Sequence, residues 1–316
     1  MSAPHWARLG ELGFVRGMRL FVHIYRLFGR WPFRIALYPV LAWYVLTNGV
    51  ARRASRDYLQ RLHALSNGNT PVPTLRNVLR HFGAFAETML DKVLTWRGEL
   101  ADAPVQVEGR EALLRLRDAG RGGVIVTAHI GNVELCRRIG ESRRGLQLNV
   151  LVHTRHAERF NRLLKEANPD ADVRLIQVTE LDMATAVMLA ERVAQGEFVV
   201  IAADRVPVSR QTEVIETDFL AATARFPAGP YILASVLKCP LLAVIAGRRG
   251  DVAHITIRQL AERVTLPRAD RHAAIVPLAA AFARLLEAEC LAAPLQWFNF
   301  YPYWTPSCTS PSANAG

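Results

Sequence analysis

Several short runs after about residue 120 are apolar almost from end to end and rich in β-branched residues: GVIVTAH (123–129), LNVLVH (148–153), VRLIQV (173–178), FVVIAAD (198–204) and PLLAVIAG (240–247). Amphipathic stretches separate them, among them NVELCRRIGE, ERFNRLLKEA, MATAVMLAERVAQ and GPYILASVLK. A strand with one wet face alternates apolar and polar residues; a strand covered on both faces does not. Apolar strands alternating with helices therefore imply an α/β fold, a mainly parallel or mixed central sheet flanked by helices. The later run HITIRQL does alternate and reads as an edge or antiparallel strand.

In an open sheet of this kind, sites gather at the carboxyl ends of the strands. Three groups fall there: His129 after VIVTA, His153 to Arg155 after NVLV, and Asp204 with Arg205 after VVIAA. Residues far apart in sequence are thereby expected on one rim.

The part of the chain before these strands has a different character. From about Leu12 to Trp96 it reads as successive helices, the last opening at TLRNVLRHFGAFAETMLDKVLTW with Thr74 as its N-cap. Residues 1–61 hold ten Arg against Glu11 and Asp57, so +8 of the chain's net +11 lies there. Trp6, Tyr25, Trp31, Tyr38, Trp43 and Tyr44 are interleaved with them, and rings of this kind settle at a membrane interface. The stretch Ile35 to Ala51 has no charge, but it carries Pro39, Asn48 and Gly49 and falls short of the roughly 20 apolar residues of a spanning helix. It is expected to lie in the interface of an anionic membrane rather than to cross it. Arginines embedded in apolar helices fit a membrane better than nucleic acid, which calls for a solvated basic stripe. Arg16, Arg19 and Arg26 interrupt the first apolar run, so no cleavable signal peptide is expected and the globular part is expected in the cytoplasm. The organisation expected is a basic helical membrane-associating region over 1–100, an α/β core over 101–306 and a disordered tail over 307–316.

Other chemistries lack their signatures. GRGG at 120–123 precedes its strand, so it is a turn and not a nucleotide loop, and no GxSxG elbow occurs. HTRH at 153–156 has no acidic neighbours to complete a metal site, and the four cysteines, Cys136, Cys239, Cys290 and Cys308, stand too far apart for a zinc or disulfide framework.

His129 and Glu134 are the pair with chemical content. A histidine at a strand end, Gly131 and Asn132 to turn the chain, and Glu134 on the first helical turn let a carboxylate reach one ring nitrogen while the other faces a cleft. That arrangement fixes the tautomer and makes the free nitrogen a base for an alcohol. The alternative is structural: glutamates are common at helix starts, and a lone histidine often only satisfies local hydrogen bonds.

HIGNVE resembles the histidine, four residues, acidic motif of glycerolipid-type acyltransferases, specifically the lipid A late acyltransferase (lauroyl/myristoyl) family. VIAADRVP (200–207) is similar to that family's strand ending in Asp, and FLAATARFPAGPYILA (219–234) to its apolar segment leading into a helix of small residues. PLQWFNFYPYW (294–304) resembles the closing segment of a subgroup associated with aryl polyene and pigment gene clusters. Two stretches depart from the family pattern. The usual Tyr-Arg pair is replaced by VHTRHAERF, offering Arg155 or Arg159, and RVPVSRQTEVIETDFLAATA replaces the glycine-proline-rich version typical of members acting on lipid A.

The resemblance implies transfer of a fatty acyl chain from a thioester, on acyl carrier protein or coenzyme A, to a hydroxyl of a lipid-like acceptor at the cytoplasmic face of a bacterial inner membrane. It implies His129 as base and Glu134 as its partner, with no metal or other cofactor. Asn132, Arg155, Asp204 and Arg205 are expected to bind substrate, the arginines meeting phosphate. Phe219, Phe226 and Tyr231 are expected along an apolar groove for the acyl chain. A lipid or carrier-binding protein of the same fold, or an esterase using the same dyad with water, are the alternatives.

Overall fold

The computed structural model describes residues 23–304 except 26, 97, 101–103, 133, 134, 136–145, 153–172, 178–182 and 208–212. After helical residues at 23–25, 27 and 28, the elements run α1 (Arg30–Thr47), α2 (Gly49–Leu65) and α3 (Leu75–Trp96). The remainder runs β1 (Val105–Glu108), α4 (Arg110–Asp118), β2 (Gly123–Thr127), β3 (Leu148–Val152), β4 (Val173–Gln177), α5 (Met183–Ala194) and β5 (Phe198–Ala202). It closes with β6 (Val214–Phe219), β7 (Ala222–Pro227), α6 (Gly229–Val236), β8 (Leu241–Arg249), β9 (Val252–Ala261) and α7 (Arg271–Ala292).

The sheet has seven strands in the order β1-β9-β8-β2-β5-β3-β4, and β6 with β7 form a separate antiparallel hairpin. Strands β8, β2, β5, β3 and β4 are mutually parallel. β9 runs antiparallel to β8, and β1 pairs with β9 in parallel. The fold is thus α/β with a mixed, mainly parallel sheet flanked by helices, as the apolar runs require. HITIRQL is antiparallel but not an edge, because the short strand VQVE covers it.

Absence of alternation has the expected cause. In β2, Val124 and Val126 face one core while Ile125 faces the other; in β5, Val199 and Ile201 oppose Phe198 and Val200; in β8, Ala243 and Ile245 oppose Leu242 and Val244. Leu113 and Leu116 of α4 cover the second face. Residues of α2, α3, α5, α6 and α7 cover the first, where Tyr58, Leu59 and Leu62 of α2 and Val78 and Phe82 of α3 belong to the same apolar cluster as the sheet. The helices that come first in sequence are therefore packed on the sheet itself.

The uncharged run Ile35 to Ala51 is not one helix. α1 ends at Thr47, and the Asn48 side chain accepts a hydrogen bond from Ala51 N at 3.1 Å to cap α2. Arg52 Nη1 then donates to the carbonyls of Val45 and Leu46 at 2.7 and 2.8 Å, which satisfies the orphan end of α1. Among the described residues, no helix is long and apolar enough to cross a membrane. α1 is apolar on two sides: Phe33 and Leu37 pack with Leu90 and Leu94 of α3, while Trp31, Ile35 and Trp43 stand 73%, 71% and 71% exposed. Arg34 fastens the helix to α3 through a bidentate pair with Glu87 at 2.9 and 3.0 Å. Thr74 caps α3 as expected, accepting from Asn77 N at 3.3 Å.

Candidate active site

Register brings the central pair together. β2 and β5 are adjacent and parallel, with Thr127 opposite Ala202, so two residues beyond the ladder His129 meets Asp204. Ala203 N donates to Thr127 O at 2.8 Å and carries the pairing into the loop. His129 Nδ1 lies 2.8 Å from Asp204 Oδ1, and the His129 backbone N–H donates to Asp204 Oδ2 at 2.9 Å. Trp297 Nε1 donates to the same Oδ2 at 3.0 Å.

A carboxylate can only accept, so Nδ1 of His129 carries the proton and Nε2 keeps its lone pair. Asp204 is 1% exposed, whereas the His129 side chain retains 40% of its exposure, which leaves the ring within reach of a ligand. Burial by itself would raise the Asp204 pKa, but His129 and Arg205 outweigh it and hold the carboxyl at about 2. For His129, loss of hydration lowers the pKa, Arg205 and Lys92 lower it further, and Asp204 opposes them; the net direction is down. At neutral pH the pair is therefore a neutral imidazole on an ionised carboxylate.

The turn after His129 has one acceptable residue. Gly131 has φ +51°, and a Cβ there would stand 2.2 Å from Ala246 O on β8. Its N–H donates to Gln296 O at 3.0 Å, Phe298 N donates to His129 O at 2.8 Å, and Ile130 bridges Trp297. The loop after β2 is thus held by the segment that follows α7.

The other expected residues are placed as follows. Arg205 Nη2 donates to Phe298 O at 2.5 Å, and its guanidinium lies 5.9 Å from the Tyr301 ring. Asn132 Nδ2 donates to Thr95 Oγ1 at 3.1 Å, which ties the turn to α3. Phe219 and Phe226 are fully buried, edge to face with each other at 5.8 Å, and Phe219 also meets Trp297 at 5.1 Å. Phe219 thus reaches Asp204 only through Trp297, whose indole it packs against. Glu134 and Arg155 lie outside the described residues, as do Cys136, Cys308 and HTRH; Cys239 and Cys290 are buried free thiols. Among the described residues, no group of three or more His, Cys, Asp or Glu is placed to hold a metal ion.

The structure adds three residues that spacing did not reveal: Trp297 on Asp204, His81 on the Trp297 carbonyl, and Lys92, whose charge reaches His129. Trp297 follows Asp204 by 93 positions and His81 precedes Trp297 by 216, separations over which no local pattern operates.

No curated protein matches the chain. The sequence model of the bacterial lipid A biosynthesis acyltransferase family matches residues 28–305, nearly the whole of the described structure. That span takes in α1, the sheet, both halves of the His129 and Asp204 pair, and the aromatic closing segment. The chain belongs to the bacterial lipid A biosynthesis acyltransferase family and is an acyltransferase that acts on lipid.

Proposed function

We propose that the chain transfers a fatty acyl group from an acyl thioester, with acyl carrier protein the donor and coenzyme A the alternative, to a hydroxyl of a lipid-like acceptor. The observation that carries this reading is the hydrogen bond between His129 Nδ1 and the ionised, buried Asp204. It leaves Nε2 as a base on a ring that is still accessible.

The acceptor oxygen attacks the thioester carbonyl as Nε2 takes its proton. The tetrahedral adduct collapses, the carbon–sulfur bond breaks, and the imidazolium returns the proton to the departing thiolate. Asp204 stabilises the imidazolium while it exists. No acyl-enzyme forms and no resident metal or cofactor takes part. We assign the orienting role to Asp204 rather than to Glu134, because only one ring nitrogen can face a carboxylate if the other is to accept a proton. Glu134, five residues after His129 in sequence, lies outside the described residues and keeps only the role that the sequence motif suggests. Arg205 is a candidate for the phosphate of a phosphopantetheine arm or of the acceptor, and Arg155, expected in the same role from the sequence, lies outside the described residues. Asn132 keeps the turn in place from α3, and Phe219 and Phe226 belong to the apolar wall behind the acyl chain. The departures from the lipid A pattern after Asp204 point to a different hydroxyl-bearing lipid as acceptor, as in the pigment-cluster subgroup.

The same reading places the protein as a peripheral protein on the cytoplasmic face of the bacterial inner membrane, with the outer side of α1 in the lipid interface. Membranes containing wild-type or His129→Ala protein, incubated with radiolabelled acyl-carrier-protein thioester and native lipid extract, test it. Label in new ester lipids with wild type alone is the expected result. Equal labelling by His129→Ala would remove the base, and free fatty acid as the sole product would make the enzyme an esterase.

A further inference from the structure

The segment Gln296 to Phe298, just past α7, touches the loops beyond β2 and β5 and the end of β8. Its backbone pairs with His129 to Gly131 beyond β2, as described above. The Phe298 carbonyl accepts from Arg205 beyond β5, and the Gln296 side chain exchanges hydrogen bonds with the backbone of Arg248 on β8 at 2.9 and 2.6 Å. From the middle of this strap Trp297 sends its indole N–H to Asp204 Oδ2.

That bond matters because of what Oδ1 does. A carboxylate held only through Oδ1 can rotate and swing away from the imidazole; Oδ2 is fixed from two sides, by the His129 backbone N–H and by the indole. An indole N–H is a donor that neither accepts nor titrates near neutrality, so it draws charge from the carboxylate without competing for the imidazole proton.

Trp297 is itself held. Its ring is packed by Tyr58, Phe219 and Tyr303 at 5.1, 5.1 and 5.0 Å. Its carbonyl accepts from His81 Nε2 at 2.8 Å, and the opposite ring nitrogen of His81 accepts from Ser55 Oγ at 2.9 Å. Both Ser55 and His81 are fully buried, one on α2 and the other on α3.

We propose that Trp297 is a positioning residue for the His129 base, fixing the Asp204 carboxylate through its indole N–H, and that His81, locked to Ser55, fixes Trp297 in turn. The proposal rests on His129 being the base, and it extends the working site into the helices before the sheet. Among the described residues, the titratable and charged groups that face the pair are Arg205 and Lys92 around His129, and Tyr301, Tyr303 and Cys290 around Asp204. Burial pushes the two tyrosines and the cysteine upward, so they stay neutral while His129 titrates.

Trp297→Phe keeps the aromatic packing and removes the one N–H. With that donor gone, the His129 backbone N–H still holds Oδ2 and keeps the carboxylate against Nδ1, so the charge no longer shared with the indole falls on the imidazolium and His129 holds its proton to higher pH. The test is a pH titration of ring nitrogen-15 resonances in histidine-labelled protein, with His129 identified as the signal missing from His129→Ala. The expected result is an upward move of the His129 midpoint by about half a unit or more. The acid limb of acyl transfer should move with it, and kcat should fall about tenfold or more at near-constant KM. A folded Trp297→Phe protein with an unchanged His129 midpoint and unchanged kcat overturns the proposal.

Should Trp297→Phe fail to fold, a second pair decides. His81→Leu removes the donor to the Trp297 carbonyl, and His81→Gln restores an amide N–H in its place. A shifted His129 midpoint in the first and not the second supports the chain of contacts, and no shift in either overturns it. The resonance reports on the ring whether or not it is the catalytic base, so normal transfer by His129→Ala would sink the proposed function separately.

Discussion

Asp204 accepts three hydrogen bonds on two oxygens, and its neighbour's behaviour follows from them. Asp204→Asn keeps the size and loses the charge, and an amide N–H facing Nδ1 forces the proton onto Nε2, the wrong nitrogen for a base. Transfer is expected to fall by about a thousandfold or more, with thioester binding little changed, measured as kcat and KM separately. In the wild type the base must be neutral. Since the His129 pKa is lowered, activity should persist below pH 6.5 and decline only at more acidic pH, a profile that a limb at or above 6.5 would contradict. His81 titrates in the other register, that of stability. Burial lowers its pKa to about 4 against the Trp297 bond, so the unfolded chain binds the extra proton between 6.5 and 4. Stability is therefore complete above pH 6.5 and is lost as pH falls, by about 3 kcal/mol over that window. Denaturant titrations at several pH values should show that much more slope in wild type than in His81→Gln. At this scale the sequence named His129, Asp204 and Arg205 and put them on one rim. It could not name Asp204 as the partner on Nδ1, because the bond depends on Thr127 lying opposite Ala202, and register is a property of pairing rather than of either strand.

Among the elements, what could be read and what could not divides on whether local chemistry announces the structure. The apolar runs gave the sheet, and Thr74 gave the start of α3. Asn48 was visible inside an uncharged run but read as an interruption, whereas it caps a second helix. The hairpin of β6 and β7 carried no turn signal at all. Its two-residue connection is Leu220 and Ala221, at φ +53° and +56°, where glycine or asparagine is the usual occupant. Glu287 of α7 holds the turn by accepting from Leu220 N at 2.6 Å. Tertiary structure thus imposes a conformation that the residues themselves disfavour, so FLAATARFP reads as an apolar segment and not as two strands. Ala221 is exposed and its side chain contributes no core packing. Ala221→Gly should remove the left-handed penalty and stabilise the protein by about 1 kcal/mol. Denaturant unfolding measures this, and a loss of stability would mean that the turn is not strained.

For the whole molecule the open question is what the outer side of α1 faces. A helix apolar all round is ordinarily buried on every side. Here the inner side is buried against α3 and the outer side presents Trp31, Ile35, Trp43 and Leu46 to solvent, beside a basic segment that holds most of the chain's net charge. Aromatic rings on a helix too short and too interrupted to span, next to arginines, fit the headgroup region of an anionic bilayer better than they fit water. The geometry also connects this side to the chemistry, because α3, which α1 packs against and grips through Arg34 and Glu87, carries His81, Lys92 and Thr95 toward the His129 loop. Replacing Trp31 and Trp43 together by Gln removes two rings that are already outside the protein core. The midpoint of thermal unfolding in detergent should therefore stay where it is. Sedimentation with vesicles rich in phosphatidylglycerol should weaken by about tenfold or more, with each ring contributing on the order of 1 kcal/mol, and added salt should weaken it further by screening the arginines. Undiminished sedimentation of the double variant would show that α1 is not the membrane face, and a lower unfolding midpoint would show instead that the rings belong to the fold.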